Sequence, residues 1–300
     1  MSSRTVSRIV VLKGGTSAER EVSLVSGQAC AAALRKKGYI VSEIDAGVDL
    51  AENLRDENPD IVFNALHGRF GEDGCVQGLL EWLGLRYTHS GVLASALAMD
   101  KAASKRVFAA AGIPVAESLI AAAVDVQAGH MMPRPYVVKP NNEGSSVGIY
   151  LVSAGDGPPQ LGPEMPDEVM VESYVPGREL SVAVLDGKAL SVTDIIVSDW
   201  YDYDAKYTEG GSEHIVPADL PADIFASCMD LAERAHKALG CVGLSRADFR
   251  WDEARGPAGL YILEVNTQPG MTATSLAPEQ AAKCGMDFPS LCAALVEGAA

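Results

Sequence analysis

The chain has 300 residues, 48% hydrophobic and 21% charged, a composition typical of one large globular domain or two or three smaller ones. Its formal net charge of −16 argues against nucleic acid or an anionic membrane as a general partner, because both attract a basic surface. Six cysteines are scattered without a C-x-x-C pair, and the first apolar run is too short for a signal peptide. We therefore expect reduced thiols, a cytoplasmic location and no membrane span.

Strands and helices alternate through the first third of the chain, with short Gly-containing loops between them. The predicted strands cover 8–13, 39–44 and 61–66, and the predicted helices cover 19–34 and 76–83. This alternation favours a parallel sheet with helices on its faces. Ligands of such sheets bind beyond the carboxyl ends of the strands, where loops 14–17 and 67–74 lie.

Two side chains at these strand ends have both a structural and a functional interpretation. Glu19 begins a helix, where an acid stabilises the macrodipole, and His67 follows a strand, where a histidine commonly makes a core hydrogen bond. Gly14-Gly15 lacks the third glycine of a dinucleotide fingerprint, and the chain contains no P-loop motif. Two common nucleotide-binding motifs are thus excluded, while both side chains stay open as site candidates.

The next segment combines a predicted helix with a candidate phosphate loop. One Ala-rich helix is predicted over 91–111, and 121–135 is predicted as a linker with at most a short helix. The run P-Y-V-V-K-P-N-N-E-G-S-S-V-G-I-Y follows at 135–150, with a strand ending at Lys139. Its small residues could fold backbone N–H groups over phosphates, and a flexible hairpin tip is the alternative.

Residues 169–180 predict a strand that carries Glu172, then an extended Ser173–Val175 segment before a Pro-Gly turn. Extended backbone with free donors and acceptors could read the edge of an adenine, and a nearby acid could bind ribose hydroxyls. A β-hairpin is predicted at 181–197, across Asp186-Gly187.

An aromatic and charged segment without periodicity follows at 199–217. Loops of this length are often active-site lids, for which Lys206 and Tyr207 are the candidate active members. The alternative is an Ω-loop packed by its own aromatic side chains. The remaining predicted elements are a helix over 222–239, a connector from 278 and a helix over 289–297.

Two alternating runs flank a turn near Gly256 and predict a second β-hairpin. Because side chains alternate along a strand, Arg246, Asp248 and Arg250 share one face. On the return strand, Glu264 and Asn266 share a polar face. Tyr261, Leu263 and Val265 form the apolar face behind them. A turn centred near Gly256 places Asp248 opposite Glu264 and Arg246 opposite Asn266.

The polar face of this hairpin gathers two carboxylates, an amide and a guanidinium. Oxygen ligands without soft donors suit Mg²⁺, which commonly binds one or two carboxylates together with substrate phosphates. An arginine beside the metal could stabilise negative charge that develops in a reaction. A surface hairpin with a cross-strand ion pair is the structural alternative. From the residues alone, the prediction is a Mg²⁺-dependent nucleotide site on an α/β scaffold.

Seven motifs occur in an order that resembles the D-alanine–D-alanine ligase family of the ATP-grasp superfamily. They are G-G-T-S-A-E-R-E-V-S-L, A-L-H-G-R-F-G-E-D-G, S-A-L-A-M-D-K, V-K-P-N-N-E-G-S-S-V-G, Y-D-Y-D-A-K-Y, R-A-D-F and L-E-V-N-T-Q-P-G-M-T-A-T-S-L. The resemblance runs nearly end to end. The chain departs from the family pattern at Asn141-Asn142 and at Gln268, where the family commonly has serine.

The resemblance implies an α/β protein in which an N-terminal parallel-sheet (pre-ATP-grasp) domain precedes a two-domain ATP-grasp fold. The expected boundaries are 1–92 for the substrate domain, 93–178 for the subdomain with the phosphate loop, and 179–300 for the subdomain with the metal site. The implied reaction joins two D-alanines at the expense of ATP through an acyl phosphate, for peptidoglycan synthesis. Two Mg²⁺ or Mn²⁺ ions and a homodimer are expected with it.

The resemblance also implies a role for each matched residue. The expected metal ligands are Asp248, Glu264 and Asn266, and the expected oxyanion groups are Arg246 and the N–H of Gly270. The expected ATP contacts are Lys101, Lys139, Glu172, Ser173, Tyr174, Val175, Glu179 and Lys206. The first D-alanine is expected at Glu19, Val22 and His67, with Ser145 and Tyr207 as hydrogen-bonded partners of Glu19. The second D-alanine is expected at Ser275 and Leu276.

Overall fold

A computed structural model describes residues 8–144, 148–196, 213–272 and 274–299. The described residues form three sheets, one parallel and two antiparallel, with helices packed against them. This arrangement confirms the predicted α/β class, with a parallel sheet first in the chain. Among the described residues, no helix combines the length and the apolar character needed to cross a membrane.

The first sheet is parallel and has the strand order β2-β1-β3. Its strands are β1 (Arg8–Lys13), β2 (Ile40–Asp45) and β3 (Ile61–Asn64), and its helices are α1 (Arg20–Lys36), α2 (Leu50–Glu57) and α3 (Cys75–Trp82). β3 and the centre of β1 are fully buried, as expected for parallel strands covered by helices on both faces. The predicted elements are confirmed, and α2 is a short helix that the sequence analysis did not identify.

The single helix predicted over 91–111 is wrong, because the chain forms two helices there. They are α4 (Val92–Met99) and α5 (Lys101–Ala110). Asp100 between them has extended backbone and accepts a hydrogen bond from the N–H of Ala103 at 2.8 Å, which caps α5. The break puts Lys101 in the first turn of α5, buried, instead of on a solvated helix surface.

The middle sheet is antiparallel and has the order β4-β7-β5-β6. Its strands are β4 (Ser118–Ala122), β5 (Tyr136–Pro140), β6 (Tyr150–Val152) and β7 (Glu168–Ser173), and α6 (Ala123–Ala128) follows β4. The linker predicted over 121–135 is wrong only at its start, where β4 extends to Ala122, and α6 is the short helix that the prediction allowed. β4 is only half-buried and pairs along its length with β7, so its residues show little alternation that a sequence pattern could reveal.

The third sheet is antiparallel and has the order β10-β9-β8-β11-β12. Its strands are β8 (Arg178–Leu185), β9 (Lys188–Ile196), β10 (Glu213–Ile215), β11 (Leu244–Trp251) and β12 (Leu260–Asn266). The amphipathic helix α7 (Ala222–Leu239) packs on one face of this sheet, as predicted. A seven-residue 3-10 segment, Glu253–Gly259, joins β11 to β12.

The predicted register of the β11–β12 hairpin is confirmed at its functional pairs. Arg246 opposes Asn266 and Asp248 opposes Glu264, and a bulge then shifts the pairing between Asp248 and Phe249. The bulge corrects the predicted apolar face of β12, because Leu260, Ile262 and Val265 are buried while Tyr261 and Leu263 are half-buried.

Two C-terminal helices join the third sheet to the first. They are α8 (Leu276–Lys283) and α9 (Phe288–Glu297), so the connector predicted from 278 is wrong at its start. One hydrophobic core contains Ile9 of β1, Cys30 of α1, Ala183 of β8 and Leu291 of α9. The first sheet is thereby fixed against the sheet that carries the polar hairpin.

Candidate active site

The polar face of the β11–β12 hairpin is held by a bidentate ion pair. Arg246 donates from Nε and Nη2 to the two carboxylate oxygens of Asp248, at 2.9 and 2.8 Å. Ser181 on the neighbouring strand β8 donates to Asp248 Oδ1 at 2.7 Å. Because Asp248 is largely buried, these donors compensate for its lost hydration and fix its orientation.

Lys101 connects this hairpin to the candidate phosphate loop. Its Nζ lies 3.0 Å from Glu264 Oε2 and donates to the carbonyl oxygen of Glu143 at 2.6 Å. Asn141 at the start of the loop accepts from the N–H groups of Lys101 and Ala102, at 3.1 and 2.9 Å. The first turn of α5 is therefore capped by the loop, and the Lys101 ammonium lies between the loop and the hairpin.

Gln268 and His67 join the hairpin to the first sheet. The N–H of Gln268 donates to Asn266 Oδ1 at 2.8 Å, and the Gln268 side chain donates to the carbonyl oxygen of Asn64. His67 Nδ1 lies 3.1 Å from the carbonyl oxygen of Gln268, and Nε2 lies 3.1 Å from Ser26 Oγ. Since a carbonyl only accepts, Nδ1 carries the proton and Nε2 accepts from Ser26.

His67 is a neutral residue between two parts of the fold. Burial lowers its pKa to about 4, against the opposing effect of the hydrogen bond to Gln268. Both ring nitrogens are engaged within the protein, so the structural interpretation of His67 is satisfied. Its expected contact with substrate stays a prediction.

Glu19 lies where the first sheet meets the phosphate loop. Glu19 immediately precedes α1. A Cβ atom added to Gly68 would lie 2.7 Å from Glu19 Oε2, and one added to Gly144 would lie 3.3 Å away. The carboxylate is therefore packed between two loops that approach closely because glycine occupies both positions. Val22 is half-buried in the first turn of α1.

Glu72 is a buried carboxyl that the sequence analysis did not select. Its Oε1 accepts from the N–H of Gly68 at 2.9 Å, and its Oε2 has no hydrogen-bond partner among the described residues. Burial raises the pKa of Glu72 to about 8, and the nearby Glu19 charge adds to the shift. One cleft is lined by Glu72, Lys101, Glu143, Gly144, Glu264 and Asn266. The available sequence signal for Glu72 was an acidic residue within the Gly-rich loop 67–74 that follows a strand.

A second charged cluster lies on the middle sheet. Lys139 on β5 donates to Glu172 Oε2 on β7 at 2.5 Å, and Lys105 on α5 forms an ion pair with Glu172 Oε1. Burial would raise the pKa of Glu172, but Lys139 and Lys105 together lower it below its usual value. Lys105 was not among the predicted site residues, because a lone helical lysine carries no sequence signal.

The predicted adenine segment is tied to β11 by Arg250. Arg250 donates from Nε to the carbonyl oxygen of Val175 at 3.1 Å, contacts Glu179 at 3.3 Å and reaches the Tyr174 hydroxyl at 3.4 Å. The N–H groups of Ser173 and Tyr174 donate to the carbonyl oxygens of Glu117 and Pro135. The expectation of free donors is corrected for these two groups, so a base would have to meet other polar atoms of the segment.

The expected second-substrate residues lie at the start of α8. Ser275 immediately precedes the helix, and its Oγ accepts from the N–H of Thr272 at 3.1 Å. A Cβ atom on Gly270 would lie 3.0 Å from this Oγ, so the Gly270 backbone passes close to the helix start. The first turn of a helix suits a carboxylate, because its N–H groups point outward and carry partial positive charge.

Three predicted site residues lie outside the described residues. They are Ser145 of the phosphate loop and Lys206 and Tyr207 of the predicted lid.

The oxygen donors on the hairpin fit a hard divalent cation. Asp248, Glu264 and Asn266 present two carboxylates and an amide on one face of adjacent strands. No group of three or more His, Cys, Asp and Glu side chains forms a ready-made metal site within the described parts of the chain. A shared set of two carboxylates completed by substrate phosphates is the usual arrangement for Mg²⁺.

The fold defines a protein of the ATP-grasp class, in which two antiparallel sheets follow a parallel sheet along the chain. Residues 107–297 match the family described as "D-ala D-ala ligase C-terminus", and residues 45–90 match "D-ala D-ala ligase N-terminus". The chain belongs to the D-alanine–D-alanine ligase family.

Similar proteins match over nearly their whole length. The D-alanine–D-alanine ligase of Roseobacter denitrificans is 68% identical, over 99% of this chain and 94% of its own. That of Cereibacter sphaeroides (strain ATCC 17025) is 66% identical, over 99% and 97%. The crystal structure of the Bacillus anthracis D-alanine–D-alanine ligase complexed with ATP has a TM-score of 0.79 and 29% identity, with 97% of each chain covered.

Proposed function

We propose that the chain joins two D-alanines into D-alanyl-D-alanine with conversion of ATP to ADP and phosphate, for peptidoglycan precursor synthesis. The observation that carries the proposal is the hairpin register, which places Asp248 opposite Glu264 and Arg246 opposite Asn266. In a chain of this family, that face unites the groups needed for phosphoryl transfer and for acyl transfer.

The first step makes an acyl phosphate. A carboxylate oxygen of the first D-alanine forms a bond to the γ-phosphorus, and the bond from that phosphorus to the bridging oxygen breaks as ADP leaves. Asp248, Glu264 and Asn266 would hold two Mg²⁺ or Mn²⁺ ions, which neutralise phosphate charge and align the transfer when bound. Lys101 adds a fixed positive charge, supported by its position between Glu264 and the loop carbonyl of Glu143.

The second step makes the peptide bond. The neutral amine of the second D-alanine attacks the acyl carbon and forms the C–N bond. The bond from that carbon to the phosphate oxygen then breaks, and phosphate leaves with the proton that the amine loses. Arg246 and the N–H of Gly270 would stabilise the oxyanion, since donors already in place cost little reorganisation. The ion pair with Asp248 supports this role, because it fixes the guanidinium plane.

The substrates are held from separate parts of the chain. Glu19 would bind the ammonium of the first D-alanine, with Ser145 and Tyr207 as its partners and with Val22 and His67 nearby. Ser275 and Leu276 would bind the carboxylate of the second at the first turn of α8. The close approach of Glu19 to Gly144 supports this assignment, because it brings the first substrate to the phosphate loop.

The nucleotide would lie between the middle and third sheets. Lys139 and Lys206 would contact phosphates or the base, Glu172 and Ser173–Val175 the adenine, and Glu179 the ribose hydroxyls. Arg250 supports this assignment, because it links Val175, Tyr174 and Glu179 into one surface.

The wider organisation is proposed on the same basis. The domain boundaries would be 1–92, 93–178 and 179–300. A cytoplasmic location is supported by six free cysteines, which persist in a reducing compartment. A homodimer is supported by the exposure of Trp82 and Leu93, large apolar side chains that are 88% and 71% exposed.

Phosphate release with ATP and Mg²⁺ tests the proposal. We expect turnover with D-alanine alone and no turnover with L-alanine, while D-serine and D-lactate are offered as alternative second substrates. Turnover with D-lactate but not with D-alanine at neutral pH would reject the dipeptide product. Tight ATP binding without ADP formation from any amino acid would reject a ligase altogether.

A further inference from the structure

Lys105 is a buried lysine whose ammonium is fully engaged inside the protein. It donates to the carbonyl oxygen of Ala116 at 2.8 Å, lies 3.4 Å from Ser118 Oγ and forms an ion pair with Glu172 Oε1. The ammonium therefore makes two hydrogen bonds and one ion pair, all with groups of the protein. Lys105 is 4% exposed, and it is therefore a structural partner of Glu172 and not a ligand contact.

Lys139 binds the other oxygen of the same carboxylate, and it differs from Lys105. Its one hydrogen bond among the described residues is to Glu172 Oε2. Two of its three N–H donors therefore remain for a nucleotide. Glu172 is thus held from the protein side at Oε1, while its Oε2 lies beside the lysine that can meet a ligand.

The ionisation of Glu172 decides which base it can recognise. A carboxylate only accepts hydrogen bonds, whereas a carboxylic acid can also donate one. The exocyclic amino group of adenine is a donor and fits the carboxylate. The 6-oxo group of hypoxanthine or guanine is an acceptor, which the carboxylate repels and the carboxylic acid tolerates.

We propose that Lys105 is a positioning residue that holds Glu172 as an ionised, fixed acceptor for the adenine amino group, and so sets the preference for ATP over 6-oxopurine nucleotides. The inference rests on the proposed ATP-dependent function and deepens it. Lys105 acts without touching the nucleotide. Its removal leaves a buried carboxylate with one cation, which favours the protonated form.

The test is equilibrium binding of ATP and of ITP to the whole protein carrying Lys105→Met, which preserves length without charge. For the wild type we expect preference for ATP of at least about 100-fold. Lys105→Met should reduce that ratio by about tenfold or more, through weaker ATP binding and stronger ITP binding. Arg106→Met, which removes an exposed cation from the same helix, should leave the ratio unchanged.

The pH dependence separates positioning from a purely structural role. In the wild type the preference for ATP should stay constant between pH 5.5 and pH 8, because both lysines lower the pKa of Glu172. In Lys105→Met the preference should fall as the pH decreases, since Glu172 takes up a proton. A lowered thermal midpoint with an unchanged ATP:ITP ratio at every pH would overturn the proposal.

A second variant decides the matter where Lys105→Met does not fold. Ser118→Ala removes only the weakest acceptor of Lys105 and should reduce the ATP:ITP ratio by about two- to threefold. A ratio equal to that of the wild type in this variant would overturn the proposal. Because nucleotide binding is measured without amino acids, failure of the wild type to form a dipeptide rejects the proposed function separately.

Discussion

The two ends of the proposed site, an adenine end around Glu172 and a reaction end around Asp248, carry opposite excesses of charge. At the adenine end, Lys105 and Lys139 surround the single carboxylate of Glu172. At the reaction end, the side chains of Glu19, Glu72, Asp248 and Glu264 gather around two cations, Arg246 and Lys101. One end therefore has more buried cations than anions, and the other has more carboxyl groups than cations.

The difference shows what each end still needs from its ligands. A buried charge is costly unless it is paired, so each excess favours ligand groups of the opposite sign. Phosphate oxygens would stabilise the adenine end. Metal ions and a substrate ammonium would stabilise the reaction end, where burial and the charge of Glu19 raise the pKa of Glu72 to about 8.

Strand β11 connects the two ends. Arg246 and Asp248 lie at the reaction end, and Arg250 lies beside the adenine segment. Four residues of a strand span about 13 Å, so Arg246 and Arg250 are fixed at that separation by the backbone. In the proposed site, this strand would set the distance between the base and the reacting phosphate.

The largest expected effect is at the reaction end. Asp248→Asn keeps the size of the side chain but removes a negative charge needed for cations, so turnover should fall by at least about 100-fold. The measurement is ADP formation at saturating Mg²⁺, with circular dichroism to confirm folding. Glu253→Gln is the control on the same hairpin, since Glu253 is exposed there. Unchanged turnover in Asp248→Asn would contradict the metal assignment.

Gly177 tests whether the adenine end is preformed by the backbone. It has a φ of +94°, and a Cβ atom there would overlap the carbonyl oxygen of Trp251. Gly177→Ala should reduce the free energy of unfolding by about 3 kcal/mol, from strain and overlap together. Gly187 has a φ of +77° with no atom near its Cβ position. Gly187→Ala should cost only about 1 kcal/mol in chemical denaturation; equal costs would reject the close approach.

Arg250 tests the link between β11 and the adenine segment. Arg250→Lys can keep only one of three contacts within the protein, and the loss of two hydrogen bonds of about 1 kcal/mol each should leave the proposed adenine segment less ordered, which should raise KM for ATP by about tenfold. Steady-state kinetics should show kcat nearly unchanged. Arg255→Lys provides the control, because Arg255 contacts Tyr261 on the turn side of the hairpin. A fall in kcat without a change in KM would assign Arg250 to the reaction end instead.

The last expected effect concerns the pH dependence of stability. The pKa of Glu72 rises from 4.5 to about 8 on folding, so the folded chain holds a proton that the unfolded chain has lost between these values. Glu72 therefore increases the free energy of unfolding below about pH 4.5, and this contribution is lost as the pH rises toward 8. Glu72→Gln stays neutral, so chemical denaturation should show a flatter pH profile. Glu52→Gln, at an exposed position of α2, should keep the wild-type slope.

The hairpin register could be predicted because it depends on local pattern. Alternation and a turn near Gly256 fix which residues face each other, and a shift by one would expose the apolar face. The bulge after Asp248 could not be predicted, because it depends on how β12 packs against its neighbours. The prediction succeeded at Asp248 and Glu264 because this pair, which lies beyond the bulge, is symmetric about Gly256, the predicted centre of the turn.

The break at Asp100 shows where sequence pattern misleads. Ala-rich residues on both sides have high helix propensity, which predicts one continuous helix. The carbonyl and side chain of Asn141 instead occupy the first amide groups of α5, so the phosphate loop fixes the start of that helix. A contact between residues about forty positions apart leaves no trace in helical periodicity.

The sequence by itself determined the strands and helices with strong periodicity, the polar face of the hairpin and the order of motifs that resembles the family. Only the tertiary structure decided that Glu72 joins Glu19 beside Gly144, and that Lys105 is buried against Glu172 while Lys139 keeps donors for a ligand. The physical reason is that local patterns reflect backbone geometry, whereas the charge state and availability of a buried group depend on its neighbours in space.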